Sequence, residues 1–299
     1  MHRSKPISGV YAAVLTPRLA DGGVDFRGFE AILQFLMDSG IDSFAVNGAT
    51  GEFCLTTPEQ LRTILRTAKN VTQGRGNILC GIGAPGTASA IELARIAEAE
   101  GVLGLLLPMP YFFPYQQQDL EAFSHAVAGS TGLPILLYNL PQFTSGLEKE
   151  TVRRLIEEVP NLIGIKDSSG SLDILNDLSL HHPGACRMVG NDGALAEALG
   201  RGVCDGVISG VACVLPELLL SLYAQRDATD SSSFARTSEL LQEFITRLDL
   251  FPTPWGIKWV AEARNLLTPT FPLPVTSARA EQSREMKDWF RSWLPGAIG

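Results

Sequence analysis

Residues 162–166 (LIGIK) form an apolar run of strand length that closes on a lysine, and residues 134–138 (PILLY) form another that closes on a tyrosine. Each run is too short for a buried helix and is followed by a segment of helical period, which reads as a strand feeding a helix. The same unit recurs on both sides of this pair. Before it stand GVYAAVL (9–15), SFAVNG (43–48), NILCGIG (77–83) and GLLLP (104–108); after it stand RMVG (187–190) and DGVIS (205–209). Eight units within about 210 residues predict an α/β fold of the (β/α)8 barrel type. Thr57-Pro58-Glu59, Thr87, Gln117 and Glu148 mark helix starts, and Gly40, Gly101 and Gly200 mark helix ends where the chain turns left-handed before the next strand. A doubly wound open sheet also alternates strand and helix, but no GxGxxG follows the first strand. Beyond residue 214 only helical periodicity continues, over 216–224, 234–250, 254–267 and 280–293. The expected organisation is a barrel carrying the active site over 1–225 and a C-terminal helical extension packed on it over 226–299.

The composition sets limits on function. Hydrophobic residues make up 45% and charged residues 19% of the 299, as in a globule with a large buried core. A net charge of -8 disfavours a nucleic-acid partner, because phosphate binding needs clustered Lys and Arg. No apolar run approaches the roughly 18 to 20 residues that span a bilayer, so no membrane partner is expected. Residues 9–15 follow a basic start, but they are short, lack a small-residue cleavage pattern and run into Thr16-Pro17, so they read as a first strand rather than a signal segment. A cytoplasmic enzyme is the expectation. The five cysteines (Cys54, Cys80, Cys186, Cys204, Cys213) contain no CxxC and read as reduced core thiols. The four histidines show no metal-ligand spacing, and His181-His182 before Pro183-Gly184 read as a helix end. No metal is implied.

In a barrel of this kind the chemistry sits where strands end at the C-terminal face. That rule selects Thr16, the loop Gly48-Ala49-Thr50-Gly51-Glu52, Pro110-Tyr111-Phe112, Tyr138-Asn139, Lys166, Gly190-Asn191-Asp192 and Ser209. An amine at the mouth of a barrel with apolar walls below it is held closer to the neutral form that attacks carbonyls, so Lys166 is the candidate nucleophile. A strand-end lysine can equally reach out to water. Tyr138 ends the preceding strand and is placed to pass protons, or simply to pack with one hydrogen bond. Residues 48–51 place small side chains between glycines, which lets backbone N–H groups converge on an anion such as a substrate carboxylate; an ordinary tight turn has the same composition. Lys258, in PWGIKWV, reads as a lysine on an amphipathic helix.

With Gly48-Ala49-Thr50-Gly51-Glu52, Tyr138-Asn139-Leu140-Pro141 and Gly164-Ile165-Lys166-Asp167-Ser168-Ser169-Gly170 in view, the chain resembles the dihydrodipicolinate synthase / N-acetylneuraminate lyase family from about residue 7 to at least 225. The resemblance implies a class I aldolase-type barrel, a homotetramer built as a dimer of dimers, and no cofactor. It implies Lys166 as the Schiff-base lysine, Tyr138 as the acid/base tyrosine, and Ala49, Thr50 and Gly51 as the loop holding the keto-acid carboxylate. Ile208 matches a residue of the pyruvate pocket, and Tyr111 a tyrosine that reaches toward a neighbouring subunit. Ser168, Gly190, Asp192 and Ser209 match positions that contact a hydroxylated substrate tail. Two hydroxyls of the synthase branch's proton relay are absent, at Ala49 and Phe112. An apolar ring, Phe143, stands near the position of an arginine that binds a carboxylate in the synthase. Phe112 and Phe143 are therefore specificity positions.

These departures place the chain nearer the members that act on 2-keto-3-deoxy sugar acids or 4-hydroxy-2-oxoglutarate. The expected reaction is retro-aldol cleavage of a 2-keto-3-deoxy sugar acid or a 4-hydroxy-2-oxo acid to pyruvate and an aldehyde. A dehydratase using the same imine, dihydrodipicolinate synthase activity and a non-catalytic keto-acid binding protein are the alternatives.

Overall fold

The computed structural model describes residues 5–298. Eight parallel strands close into a barrel in chain order. They are β1 (Gly9–Ala13), β2 (Ser43–Val46), β3 (Asn77–Gly81), β4 (Gly104–Pro108), β5 (Ile135–Asn139), β6 (Leu162–Asp167), β7 (Cys186–Val189) and β8 (Gly206–Ser209). The barrel closes where β1 pairs with β8, Gly9 opposite Gly206 and Ala12 opposite Ser209. Seven helices connect successive strands: α1 (Phe26–Asp38), α2 (Pro58–Thr72), α3 (Thr87–Ala99), α4 (Gln117–Ala128), α5 (Lys149–Glu158), α6 (Asp173–His181) and α7 (Leu195–Gly200). All eight apolar runs are strands, as the (β/α)8 reading requires.

The two-residue period of a strand explains why these runs are apolar throughout. Tyr11, Ala13, Ala45, Leu79, Leu106, Leu136, Met188 and Ile208 pack together inside the barrel. Their neighbours Ala12, Phe44, Val46, Leu105, Leu107, Leu137 and Val207 face the helices. Both faces are covered, so apolar residues dominate on each. The register of β6 is set by a bulge: Ile135 pairs with Leu162, but the next residue, Leu136, pairs with Gly164. A Cβ at Gly164 would overlap the backbone of Cys186, so the close approach of β6 and β7 requires glycine there. Beyond the bulge Tyr138 lies opposite Lys166, and the two share the inner face.

Local signals fix the helix ends. Thr57 accepts from the Gln60 N–H while the Gln60 side chain returns to the Thr57 N–H, a capping box that starts α2. Gly40 and Gly101 adopt the left-handed φ expected of them, +90° and +69°. Gly200 does not. It is the last residue of α7, Arg201 still bonds back to Glu197, and the left-handed turn falls at Gly202 with φ +64°. The cysteine reading also needs correction. Cys80, Cys186 and Cys213 are buried, but Cys204 is half-buried and Cys54 is exposed, because Cys54 sits in a short turn above the barrel mouth rather than on a strand.

The chain continues through α8 (Pro216–Ala224), α9 (Ser232–Leu248), α10 (Trp255–Ala263) and α11 (Ser277–Ile298). Phe244 of α9 stacks with Trp289 and Trp293 of α11 and meets Phe290 at a tilt, which knits the extension together. At the N-terminal end of the barrel Asp205 pairs with Lys5 at 2.7 Å and Arg187 at 3.1 Å, leaving the opposite mouth open for a site. Among the described residues no helix is long and apolar enough to cross a membrane, and no cluster of His, Cys, Asp or Glu could hold a metal ion.

Candidate active site

β5 and β6 deliver Tyr138 and Lys166 to the floor of a cavity of about 330 Å³ at the C-terminal mouth of the barrel. Lys166 is 3% exposed, and its amine donates to the Tyr138 hydroxyl at 2.9 Å. The same nitrogen lies 4.1 Å from the centre of the Tyr138 ring. The amine has one hydrogen-bond partner and shares the cavity with Ser168 and Asp192, facing the space in which a carbonyl carbon could be attacked.

The cavity wall combines several strand ends. Ala49 and Thr50 follow β2, Ser168 follows β6, Gly190 and Asp192 follow β7, and Ile208 belongs to β8. Glu52 N–H returns to Ala49 O and Phe53 N–H to Gly48 O, so residues 48–53 form a tight turn. The N–H groups of Ala49, Thr50 and Gly51 carry no hydrogen bond to another described residue. Such free, neighbouring donors suit a carboxylate. Asp192 accepts from the Val211 N–H at 3.3 Å and its other oxygen is unpartnered. Burial raises its pKa above the ordinary carboxylate value, against hydrogen bonds from Ser209 and the backbone and the nearby charge of Lys166.

Behind this wall Asp167 accepts from Asn139 Nδ2 at 3.0 Å and from the Ser169 N–H at 2.9 Å, and Asn139 Oδ1 accepts from the Leu147 N–H. Burial raises the Asp167 pKa, partly offset by these donors. The network ties the loops after β5 and β6 to each other and steadies the strand ends that carry Tyr138 and Lys166.

Of the remaining positions singled out from the sequence, Phe143 lines the cavity, and Gly51, Ser209, Tyr111 and Phe112 lie around it. Gly51 is buried against Thr16, where an added Cβ would come to 3.0 Å from Thr16 Oγ1. Ser209 is fully buried and accepts from the Ala212 N–H at 2.9 Å, capping the turn after β8. Tyr111 packs edge-on against Phe53 with ring centres 5.7 Å apart. Phe112 is 84% exposed at φ +85°, while Phe143, 58% exposed, lines the mouth.

Sequence reasoning missed one side of the cavity. Ile245 and Leu248 of α9, Asp249, the segment 251–254 and Ile257 of α10 all line it, so the C-terminal extension forms part of the wall. No local pattern marks those residues; their periodicity is that of any packed helix. Lys258 also departs from expectation. It is 3% exposed and not a surface lysine, because it turns inward to a carboxylate at Glu52.

Residues 6–292 match the model of the dihydrodipicolinate synthetase family. The chain is 31% identical over 278 residues to a 4-hydroxy-tetrahydrodipicolinate synthase of Moorella thermoacetica, covering 93% of this chain and 95% of the relative. It is 29% identical over 289 residues to a probable 2-dehydro-3-deoxy-D-pentonate aldolase of Escherichia coli, covering 94% and 95%. The crystal structure of a dihydrodipicolinate synthase from Acinetobacter baumannii, complexed with pyruvate, superposes with a TM-score of 0.87 at 28% identity, covering 94% of this chain and 98% of that one. A closed eight-stranded barrel with a lysine and tyrosine at its mouth, matched along nearly its whole length, identifies the chain as a member of the dihydrodipicolinate synthetase family and an enzyme of the class I aldolase type.

Proposed function

We propose that the protein cleaves a 2-keto-3-deoxy sugar acid, or a related 4-hydroxy-2-oxo acid with an uncharged tail, to pyruvate and an aldehyde. The observation that carries this reading is the charge of the cavity. Among its described lining residues Lys166 is the only lysine or arginine, while Gln142, Ser168, Asn191, Asp192 and Asp249 supply polar groups toward the mouth. A site of this composition accepts hydroxyls and opposes a second carboxylate.

In this mechanism the Lys166 amine adds to the C2 carbonyl and loses water, giving an iminium. Tyr138 takes the proton of the C4 hydroxyl as the C3–C4 bond breaks. The bond's electron pair moves onto the iminium to give an enamine, and the C4 oxygen leaves as the aldehyde carbonyl. Protonation of the enamine at C3 by Tyr138 and hydrolysis of the imine release pyruvate and regenerate the amine. Thr50 and the N–H groups beside it hold the C1 carboxylate, which brings C2 to the amine in attack geometry.

A second reading, condensation of pyruvate with a carboxylated amino-aldehyde, is favoured by the likeness to the Moorella synthase; identities of 31% and 29% do not separate the two. Incubation with keto-deoxy sugar acids tests the first reading by product analysis. Equal amounts of pyruvate and aldehyde are expected. A dehydrated keto acid means elimination by the same imine, and consumption of pyruvate only with the amino-aldehyde means the synthase reaction; either outcome removes the lyase assignment.

Gly190 is a sensitive point of this mechanism. A Cβ there would lie 2.7 Å from Lys166 Cε and collide with Ser168 Oγ. Gly190→Ala is therefore expected to push the lysine off its line and slow adduct formation with pyruvate by about 10²-fold. A borohydride-quench time course measures this, and a rate within a factor of about two of wild type would show that the lysine has room to spare.

A further inference from the structure

Glu52 and Lys258 form an ion pair at 2.5 Å whose side chains are 7% and 4% exposed. One closes the loop after β2, and the other lies on α10 in the C-terminal extension. A buried ion pair is weak evidence for net stability, because desolvating both charges offsets most of their attraction. What the pair does supply is a fixed geometry between two segments that meet only in the folded chain.

Several features make that geometry specific. Glu52 sits at φ 53°, ψ 51°, a left-handed conformation that L side chains other than Asn and Asp seldom adopt. Its backbone thus directs the carboxylate away from the cavity and toward α10, while the preceding Thr50 lines the cavity. Lys258 is oriented from its other side by donating to Thr270 O at 2.9 Å. Arg18, the other cation close to Glu52, donates to Gly22 O and Thr56 Oγ1. The neighbours of the pair are packed without slack. A Cβ on Gly210 would lie 2.9 Å from Ile257 Cδ1 and 3.2 Å from Thr50 Oγ1, so the residue before Lys258 and the residue two before Glu52 converge on one spot of the wall.

We propose that Glu52 and Lys258 are positioning residues that lock α10 to the loop 48–52, so that the C-terminal extension sets the affinity for the keto-acid carboxylate. The inference rests on the assignment of that loop to carboxylate binding. Neither residue touches substrate. Their effect is on where Thr50 and its N–H groups are held.

The test compares the pyruvate concentration dependence of borohydride-trapped adduct in wild type, Lys258→Met and the double variant Glu52→Gln/Lys258→Met. The single variant leaves a buried carboxylate unpaired and can fail to fold; the double variant removes both charges at nearly constant volume and keeps the experiment decisive. The double variant is expected to melt close to wild type yet need about tenfold more pyruvate for half-maximal trapping. It should reach nearly full trapping at saturation. A double variant with the wild-type half-saturation point overturns the positioning role. A wild type that forms no adduct at any pyruvate concentration instead removes the imine reaction proposed above, and the inference with it.

Discussion

Lys166→Ala is expected to form no covalent adduct with pyruvate under borohydride, and its turnover of a keto-deoxy sugar acid to fall by on the order of 10⁴-fold or more. Every step of the proposed reaction passes through the imine nitrogen, and no other lysine among the described residues lines the cavity. The fold should survive the change. The side chain has a single hydrogen-bond partner, Tyr138, and its head faces an open cavity rather than a packed core. Intact-protein mass spectrometry of wild type and variant after pyruvate and borohydride reads the result directly. One reduced pyruvate adduct in wild type and none in the variant is expected. Near-normal turnover in Lys166→Ala would falsify the imine mechanism, and no adduct in either protein would favour a binding protein over an enzyme.

Tyr138→Phe should separate binding from proton transfer. The substitution removes one oxygen and keeps the ring that packs under the Lys166 amine at 4.1 Å. Imine formation therefore continues, more slowly, while cleavage of the C3–C4 bond loses the group that accepts the C4 hydroxyl proton. A fall in kcat of about 10²–10⁴-fold is expected, the usual range for a positioned general acid or base. Half-saturation by pyruvate should change far less. Single-turnover measurement of pyruvate release, set beside the extent of trapping, distinguishes the two effects. A kcat within about twofold of wild type would assign the proton to another acceptor, with Asp192 the next group to examine, since its unpartnered oxygen belongs to a carboxyl whose pKa burial raises.

The placement of Tyr138 and Lys166 was legible because their positions depend on local pattern. An apolar run that ends in Lys or Tyr, repeated in a parallel barrel, puts those side chains on the same rim whatever the helices do. Ser168, Gly190 and Asp192 were legible for the same reason, each lying just past a strand end. Helix ends were less secure. At α7 the expected glycine lies within the last turn, and the left-handed residue comes two positions later, a difference that side-chain and backbone bonding of Arg201 to Glu197 decides.

What the sequence by itself determined is the barrel, the order of its strands, and the neighbourhood of Tyr138 and Lys166, because short apolar runs and the 3.6-residue periodicity between them are properties of neighbours along the chain. The tertiary structure alone decided that α9, the segment 251–254 and α10 wall the cavity, that Ser209 caps the turn after β8, and that Lys258 is buried on Glu52. A charged residue in a helical segment looks the same from the sequence whether it meets water or a distant carboxylate. The difference lies in which surfaces the closed barrel brings together, and that depends on packing across the whole domain rather than on any stretch of residues.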